Sequence, residues 1–247
     1  MLSRKDYIRY SRQIMLPAFG EHGQERLAQA HVAVIGLGGL GCPVLQYLVG
    51  AGIGRFTLVD DDYISLENLH RQLLYQESDI NDLKVSAVEK YVARRNPAAQ
   101  IKTYKERLRG ESLEQVLDNV DIVLDCTDSI ESRLEINFAA VKTRVAHIVG
   151  TGIRAEGQIV SFDHSQPNSP CLSCVMSEQD GSGLTCAESG VMGPVLGVIG
   201  SAMAMAAIKY LAIPGSLILN QWQFYDAMTE RWMRLSIEPN TDCVSCS

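Results

Sequence analysis

The stretch Val32-Ala33-Val34-Ile35-Gly36-Leu37-Gly38-Gly39-Leu40-Gly41 constrains this chain more than any other. Four apolar residues run straight into a glycine turn, and Leu40, Val44, Leu45 and Leu48 then repeat at helical spacing. That is strand, tight turn and helix, with Gly36, Gly38 and Gly41 in the G-x-G-x-x-G pattern. One glycine makes the turn, one lets a phosphate approach the backbone, and one lets the helix pack close to the strand. The free N–H groups at the helix start then face an anion. Phe56-Thr57-Leu58-Val59 follows as a second strand and ends in Asp60, 19 residues beyond Gly41, where a carboxylate can accept from ribose hydroxyls. The stretch predicts a nucleotide site; the competing reading is a glycine-rich packing turn.

Around it the chain alternates. An amphipathic helix is predicted over residues 3–16 and a short helix over 21–30. Strand, turn, helix and strand fill 32–60, and a loop with a helical turn covers 61–80. Asp82 is placed to cap a helix carrying Val85, Val88 and Val92, stopped by Asn96-Pro97. A strand at 101–104, a helix over 111–118, the strand Ile122-Val123-Leu124, a helix over 131–143 and a strand at 145–149 complete a β-α-β pattern. Such alternation means a parallel sheet with helices on both faces. After residue 150 strands are predicted at 159–162, 216–220, 223–225 and 231–237, extending the sheet antiparallel.

At 247 residues the chain is long enough to bury a large core. A net charge of −7 argues against nucleic acid or an anionic membrane as the main partner. The first residues, Met1 to Asp6, have no apolar signal core behind them, so a cytoplasmic location is expected. The seven cysteines are then read as thiols or metal ligands rather than disulfides. Val191 to Ile208 is nearly uncharged and as long as a membrane span, yet its glycines and Pro194 suit a buried helix of an α/β core better.

Open α/β sheets bind ligands beyond the carboxyl ends of their strands. The Gly36 turn, Asp60 and the pair Asp125/Asp128 stand at three such ends. Asp128 suits either a Mg²⁺ bridging phosphate oxygens or a helix N-cap. Arg71 and Lys84 suit either a phosphate or solvent; Lys84 falls in a first helical turn, where the helix dipole disfavours a cation. Cys171-Leu172-Ser173-Cys174 and Cys243-Val244-Ser245-Cys246 are two C-x-x-C pairs. Two such pairs favour a closed Cys₄ zinc site over a redox motif, stapling the carboxyl tail without an open coordination position. Cys42 and Cys126 sit at apolar core positions. Cys186 lies among glycines and polar residues and is read as exposed enough to react.

Tyr10-Ser11-Arg12-Gln13-Ile14, the Gly36–Gly41 turn, Asn68-Leu69-His70-Arg71-Gln72, Lys84, Asp125-Cys126-Thr127-Asp128 and the two C-x-x-C pairs occur in that order. Together they resemble the MoeB/ThiF/HesA family, prokaryotic relatives of ubiquitin-activating enzymes, over essentially the whole chain. Residues 152–159, 184–200 and 225–229 look closest to the MoeB branch, the molybdopterin-synthase adenylyltransferases. The resemblance implies ATP-dependent adenylation of the carboxy-terminal glycine of a ubiquitin-like sulfur carrier ending in Gly-Gly, with pyrophosphate released. It implies ATP held by Gly36, Gly38, Gly39, Gly41, Asp60, Asp62, Asn68, Arg71, Lys84, Asp128 and Ser129. Mg²⁺ is placed on Asp128, and Arg12 is contributed by the partner of a homodimer. A separate sulfur donor (a cysteine desulfurase or rhodanese) is expected, and Cys186 stands where the ThiF branch can form a persulfide-linked adduct.

Three residues depart from the family pattern. Glu67 stands in place of a common Ser, Leu83 in place of a Pro, and Ser129 in place of an Asn. The fold class that follows is a Rossmann-like, doubly wound, mostly parallel sheet extended by antiparallel strands, with a Cys₄ zinc knuckle. One domain is expected over 1–247, with a nucleotide-binding half (1–150) and an antiparallel, zinc-stapled half (151–247). The rivals are a thiamin-pathway adenylyltransferase, an NAD-dependent oxidoreductase on the same glycine turn, and an inactive scaffold binding a ubiquitin-like protein.

Overall fold

A computed structural model describes residues 2–177 and 189–247. The chain runs α1 (Arg4–Ile14), α2 (Gly20–Gln29), β1 (His31–Ile35), α3 (Gly41–Ala51), β2 (Arg55–Val59), α4 (Lys84–Arg95), β3 (Gln100–Tyr104), α5 (Gly110–Leu117), β4 (Ile122–Asp125), α6 (Ile130–Thr143), β5 (Ala146–Ile153) and β6 (Glu156–Asp163). A long helix α7 (Gly193–Ala212) and the hairpin β7 (Gln221–Asp226) and β8 (Arg231–Ser236) follow. One sheet takes all eight strands in the order β3-β2-β1-β4-β5-β6-β7-β8. The pairs from β3 to β5 are parallel, and those from β5 to β8 antiparallel.

Strand order explains where a site can form. The chain winds from β1 outward to β2 and β3, then returns to place β4 on the other side of β1. The connections leave in opposite directions at the carboxyl ends of β1 and β4, opening a crevice there. Val32, Val34, Leu58, Ile122 and Leu124 bury against α3, α4 and α7 on one face, while Ala33, Val59 and Val123 bury against α5 and α6 on the other. Helix α7 is long and apolar enough to cross a membrane by composition. Here it lies in the core, with Val195, Leu196, Ile199, Met203 and Ala207 buried.

Two local expectations fail. Residues 216–220 are not a strand: the Ser216 hydroxyl turns back to donate to the Ile213 carbonyl at 2.7 Å, and Asn220 has φ 55°. An apolar run bridging a helix end to a strand is indistinguishable by composition from a buried strand. Asp82 does not cap α4; Leu83 holds that position without a side-chain bond, and Asp82 pairs with Lys90 at 3.0 Å instead.

Candidate active site

The glycine turn is built from three different requirements. Gly36 has φ 89°, a left-handed conformation that favours glycine, and a Cβ there would meet the Cys126 carbonyl at 2.8 Å. A Cβ on Gly41 would stand 2.2 Å from the Gly36 carbonyl oxygen, so this glycine lets α3 fold back onto the turn. Gly38 has only Gln72 Nε2 at 3.6 Å, leaving its backbone open to a ligand. The turn is also tied from outside. Leu37 N–H donates to Asp60 Oδ2 at 2.6 Å, and Tyr75 Oη–H donates to the Leu37 carbonyl at 2.7 Å.

A cavity of about 420 Å³ opens over this turn. Gly36, Gly38, Gly39, Asp60, Asp62, Asn68, Arg71, Lys84, Asp128 and Ser129 all line it, drawn from the β1–α3, β2–α4 and β4–α6 connections, and Arg107 joins them from the β3–α5 loop. Gly41 does not line it, because its role is the helix contact. Arg12 is on the exposed part of α1 and does not line its own chain's cavity. Cys186 lies outside the described residues. Cys42 and Cys126 are buried, and burial pushes the Cys42 thiol up to about 12, so it is not a nucleophile.

The charged groups are held in distinct ways. Lys84 is 5% exposed, and its Nζ donates to Asp62 Oδ2 at 2.6 Å; it is no solvated surface charge. Arg71 is oriented by Asn68 Oδ1 at 2.7 Å and by the Glu67 carbonyl at 3.1 Å. Asp60 also accepts from Asp62 N–H at 2.9 Å, and burial holds its carboxyl above the usual range despite Lys84 nearby. Helix α6 is capped by Ser129, whose Oγ accepts from Ser132 N–H at 3.2 Å. Asp128 is therefore released from capping. It is exposed at the cavity and has no hydrogen-bond or ion-pair partner among the described residues.

Several cavity residues were invisible to spacing arguments. Arg133 is 9% exposed and donates to the Thr127 carbonyl at 2.7 Å, buttressing the loop that presents Asp128. Arg107 reaches across from the loop after β3 to Ser129 Oγ at 3.2 Å and Glu131 at 3.1 Å. Position one turn into a helix behind Asp128 was a usable hint for Arg133; nothing local pointed to Arg107. Gln72 Oε1 and Arg133 Nε are buried beside the cavity with no partner among the described residues. Buried polar atoms of this kind mark a place where a polar ligand completes the bonding. Cations, backbone N–H groups and a free carboxylate on one wall suit a polyphosphate and a divalent cation.

On the far side of α6, the four cysteine sulfurs of residues 171, 174, 243 and 246 lie within 4.8 Å of one another. Cys171 and Cys243 approach to 3.6 Å, and Cys174 and Cys246 to 3.5 Å. A tetrahedral zinc with bonds of about 2.3 Å sets its sulfurs about 3.8 Å apart. The cluster therefore fits zinc, and it takes the tail after β8 back to the segment after β6.

The ThiF family profile matches residues 10–245. A molybdopterin-synthase adenylyltransferase of Salmonella typhimurium is 40% identical over 99% of this chain and 98% of its own length. The sulfur carrier protein ThiS adenylyltransferase of Escherichia coli is 34% identical over 99% of this chain and 97% of its own. Among solved structures, E. coli MccB with succinimide superposes with a TM-score of 0.83 at 20% identity, covering 97% of this chain and 73% of that one. That likeness speaks to the fold, and the sequence matches speak to descent. A full-length match at this identity, on a fold that assembles the motif residues around one cavity, shows that the chain belongs to the ThiF family of adenylyltransferases.

Proposed function

We propose that this enzyme adenylates the carboxy-terminal glycine of a ubiquitin-like sulfur carrier, releasing pyrophosphate, and that the carrier serves molybdopterin synthesis. The observation that carries the reading is the cavity itself, where the glycine turn, Arg71, Lys84 and Asp128 meet. A peptide α-carboxyl has pKa near 3.3–3.7, so it arrives ionised and needs no general base. The protein has only to bring that carboxylate against the α-phosphate of ATP and to neutralise charge on the departing pyrophosphate. Backbone N–H groups of the glycine turn and the start of α3 receive the phosphates. Arg71, fixed by Asn68, supplies positive charge, and Lys84 does so while its position is set by Asp62. Asp60 stands where it can accept from the ribose.

Asp128, an unpartnered carboxylate, would hold Mg²⁺. The ion supplies charge neutralisation at the phosphate oxygens. Zinc at the four cysteines would be structural, since four thiolates leave no open position. The choice of molybdopterin over thiamin rests on the higher identity to the molybdopterin-synthase relative, 40% against 34%. Sulfur would come from a separate donor protein.

The test is pyrophosphate exchange into ATP with Mg²⁺ and purified carriers ending in Gly-Gly. Exchange driven by the molybdopterin carrier is the expected result. Exchange driven only by the thiamin carrier would move the enzyme to that pathway, and tight NAD binding without exchange would reject adenylation.

The exposed Arg12 is read as completing the partner subunit's site in a symmetric dimer. Arg12→Ala and Asp128→Ala homodimers should both be nearly inactive. Mixing them in equal amounts, with subunit exchange verified, should restore roughly a quarter of wild-type sites, because half the dimers are mixed and one site in each is intact. An Arg12 acting within its own chain would give no recovery.

A further inference from the structure

Asn137 is completely buried on α6, on the side facing the cysteine cluster rather than the nucleotide cavity. A polar amide in that position must have its bonds made inside the protein. They are made, and all of them go to one knuckle. Asn137 Oδ1 accepts from Leu172 N–H at 2.8 Å. Its Nδ2 donates to Ser173 Oγ at 3.0 Å and to Cys171 Sγ at 3.4 Å. The orientation of the amide is determined by chemistry: Leu172 N–H can only donate, so the oxygen must face it and the nitrogen must face the sulfur. Ser173 in turn accepts from Ser245 Oγ at 2.9 Å, reaching the second knuckle.

Four thiolates on one Zn²⁺ leave a net charge of −2 in a partly buried site. An N–H donor aimed at a thiolate disperses part of that charge and fixes the ligand's direction, as outer-sphere partners of metal ligands do. We propose that Asn137 is the positioning residue of the cysteine centre, donating its amide N–H to the Cys171 thiolate and anchoring the first knuckle to α6. The inference rests on the zinc reading above. It also gives α6 a second role, since the helix that begins behind Asp128 carries, two turns later, the anchor of the metal staple.

The decisive measurement uses the wild-type chain. With ¹¹³Cd in place of zinc and ¹⁵N labelling, an Asn137 side-chain proton should show scalar coupling to the metal through the N–H···S–Cd path. Asn137→Asp has nearly the same shape, keeps the acceptor for Leu172 and removes the donor. It should release zinc to a chelator about 10–100 times faster than wild type, whereas Ser173→Ala, which leaves the bond to Cys171 intact, should stay close to wild type. A metal-loaded wild-type protein without the coupling would overturn the proposal, even if the aspartate variant did not fold. So would an aspartate variant that keeps zinc as tightly as wild type. Wild-type protein that takes up neither metal would instead defeat the zinc reading on which this one stands.

Discussion

The centre of the sheet and its β7–β8 end are held by different means. At the β1–β4 side, strands are buried on both faces; Val32, Ala33 and Val34 in β1 and Ile122, Val123 and Leu124 in β4 are all fully enclosed. At the β8 end, β7 is half-buried along its length and β8 is exposed throughout, with Trp232, Met233 and Leu235 on its surface. The apolar cluster beneath the carboxyl tail is small, consisting of Val149, Val160, Phe162, Leu172 and Ile237. The nucleotide-facing half thus rests on burial. The β7–β8 hairpin and the tail after it lack comparable burial, and that tail meets the segment after β6 through the four cysteines, beside Asn137. A segment that cannot bury enough apolar surface needs a coordination or covalent staple.

Metal removal should separate the two regions most clearly. Structural zinc contributes about 10–16 kcal/mol of apparent binding energy in peptide sites, comparable to the whole stability of a domain. Fresh protein should contain one zinc per chain, and Cys174→Ser should lower metal content and Tm together, while Cys186→Ala changes neither. Metal analysis giving well under one zinc per chain would break the comparison at its base.

The cavity side should respond in the opposite way. Asp128→Ala and Arg71→Ala should each slow pyrophosphate exchange by about 10²–10³, the loss typical of one transition-state stabiliser. Neither side chain is fully buried, so Tm should barely move. A large drop in Tm with unaltered exchange would reverse the assignment of these residues.

Within the glycine turn the same contrast can be sharpened. Gly41→Ala drives a Cβ into the Gly36 carbonyl at 2.2 Å and should cost about 1–3 kcal/mol or more of stability. Gly38→Ala meets nothing closer than 3.6 Å, so it should spare stability and weaken nucleotide binding. Calorimetry of both variants alongside ATP titration decides whether packing and binding are divided between these positions.

The smallest expected effect is a pH dependence on the terminal side. His164 is buried against Phe162, with His147 and Asp163 beside it; burial first, then His147, lowers its pKa to about 3. A histidine with a lowered folded pKa contributes stability that is complete above its unfolded value of about 6.5 and is lost as pH falls toward 3. At pH 5.5 the loss should be roughly 1.4 kcal/mol. Denaturant titrations of wild type and His164→Gln should diverge in slope below pH 6.5; parallel curves would show that His164 does not contribute.

Much of this was legible along the chain because it is local. The strand, turn and helix around Gly36, the cap signals of α6 and the two C-x-x-C pairs are short-range patterns. A backbone with fixed 2.0 and 3.6 periodicities must express them wherever it folds. Asn68 and Arg71, in a loop without a clear period, were pointed to by the family resemblance instead. The strand expected at 216–220 shows the limit: five residues of mixed apolar character fit a strand or a connector, and only what surrounds them decides.

By itself the sequence determined the β-α-β alternation, the glycines that a close turn requires, and four cysteines in two C-x-x-C pairs. Each of these depends on neighbours a few residues away. Tertiary structure alone decided that β4 returns beside β1, opening the crevice where four loops meet. It also decided that Lys84 is buried on Asp62, that Ser129 rather than Asp128 caps α6, and that Asn137 faces Cys171. The physical reason is that a polar group's role depends on which partners replace the water it loses, and those partners come from segments distant in the chain.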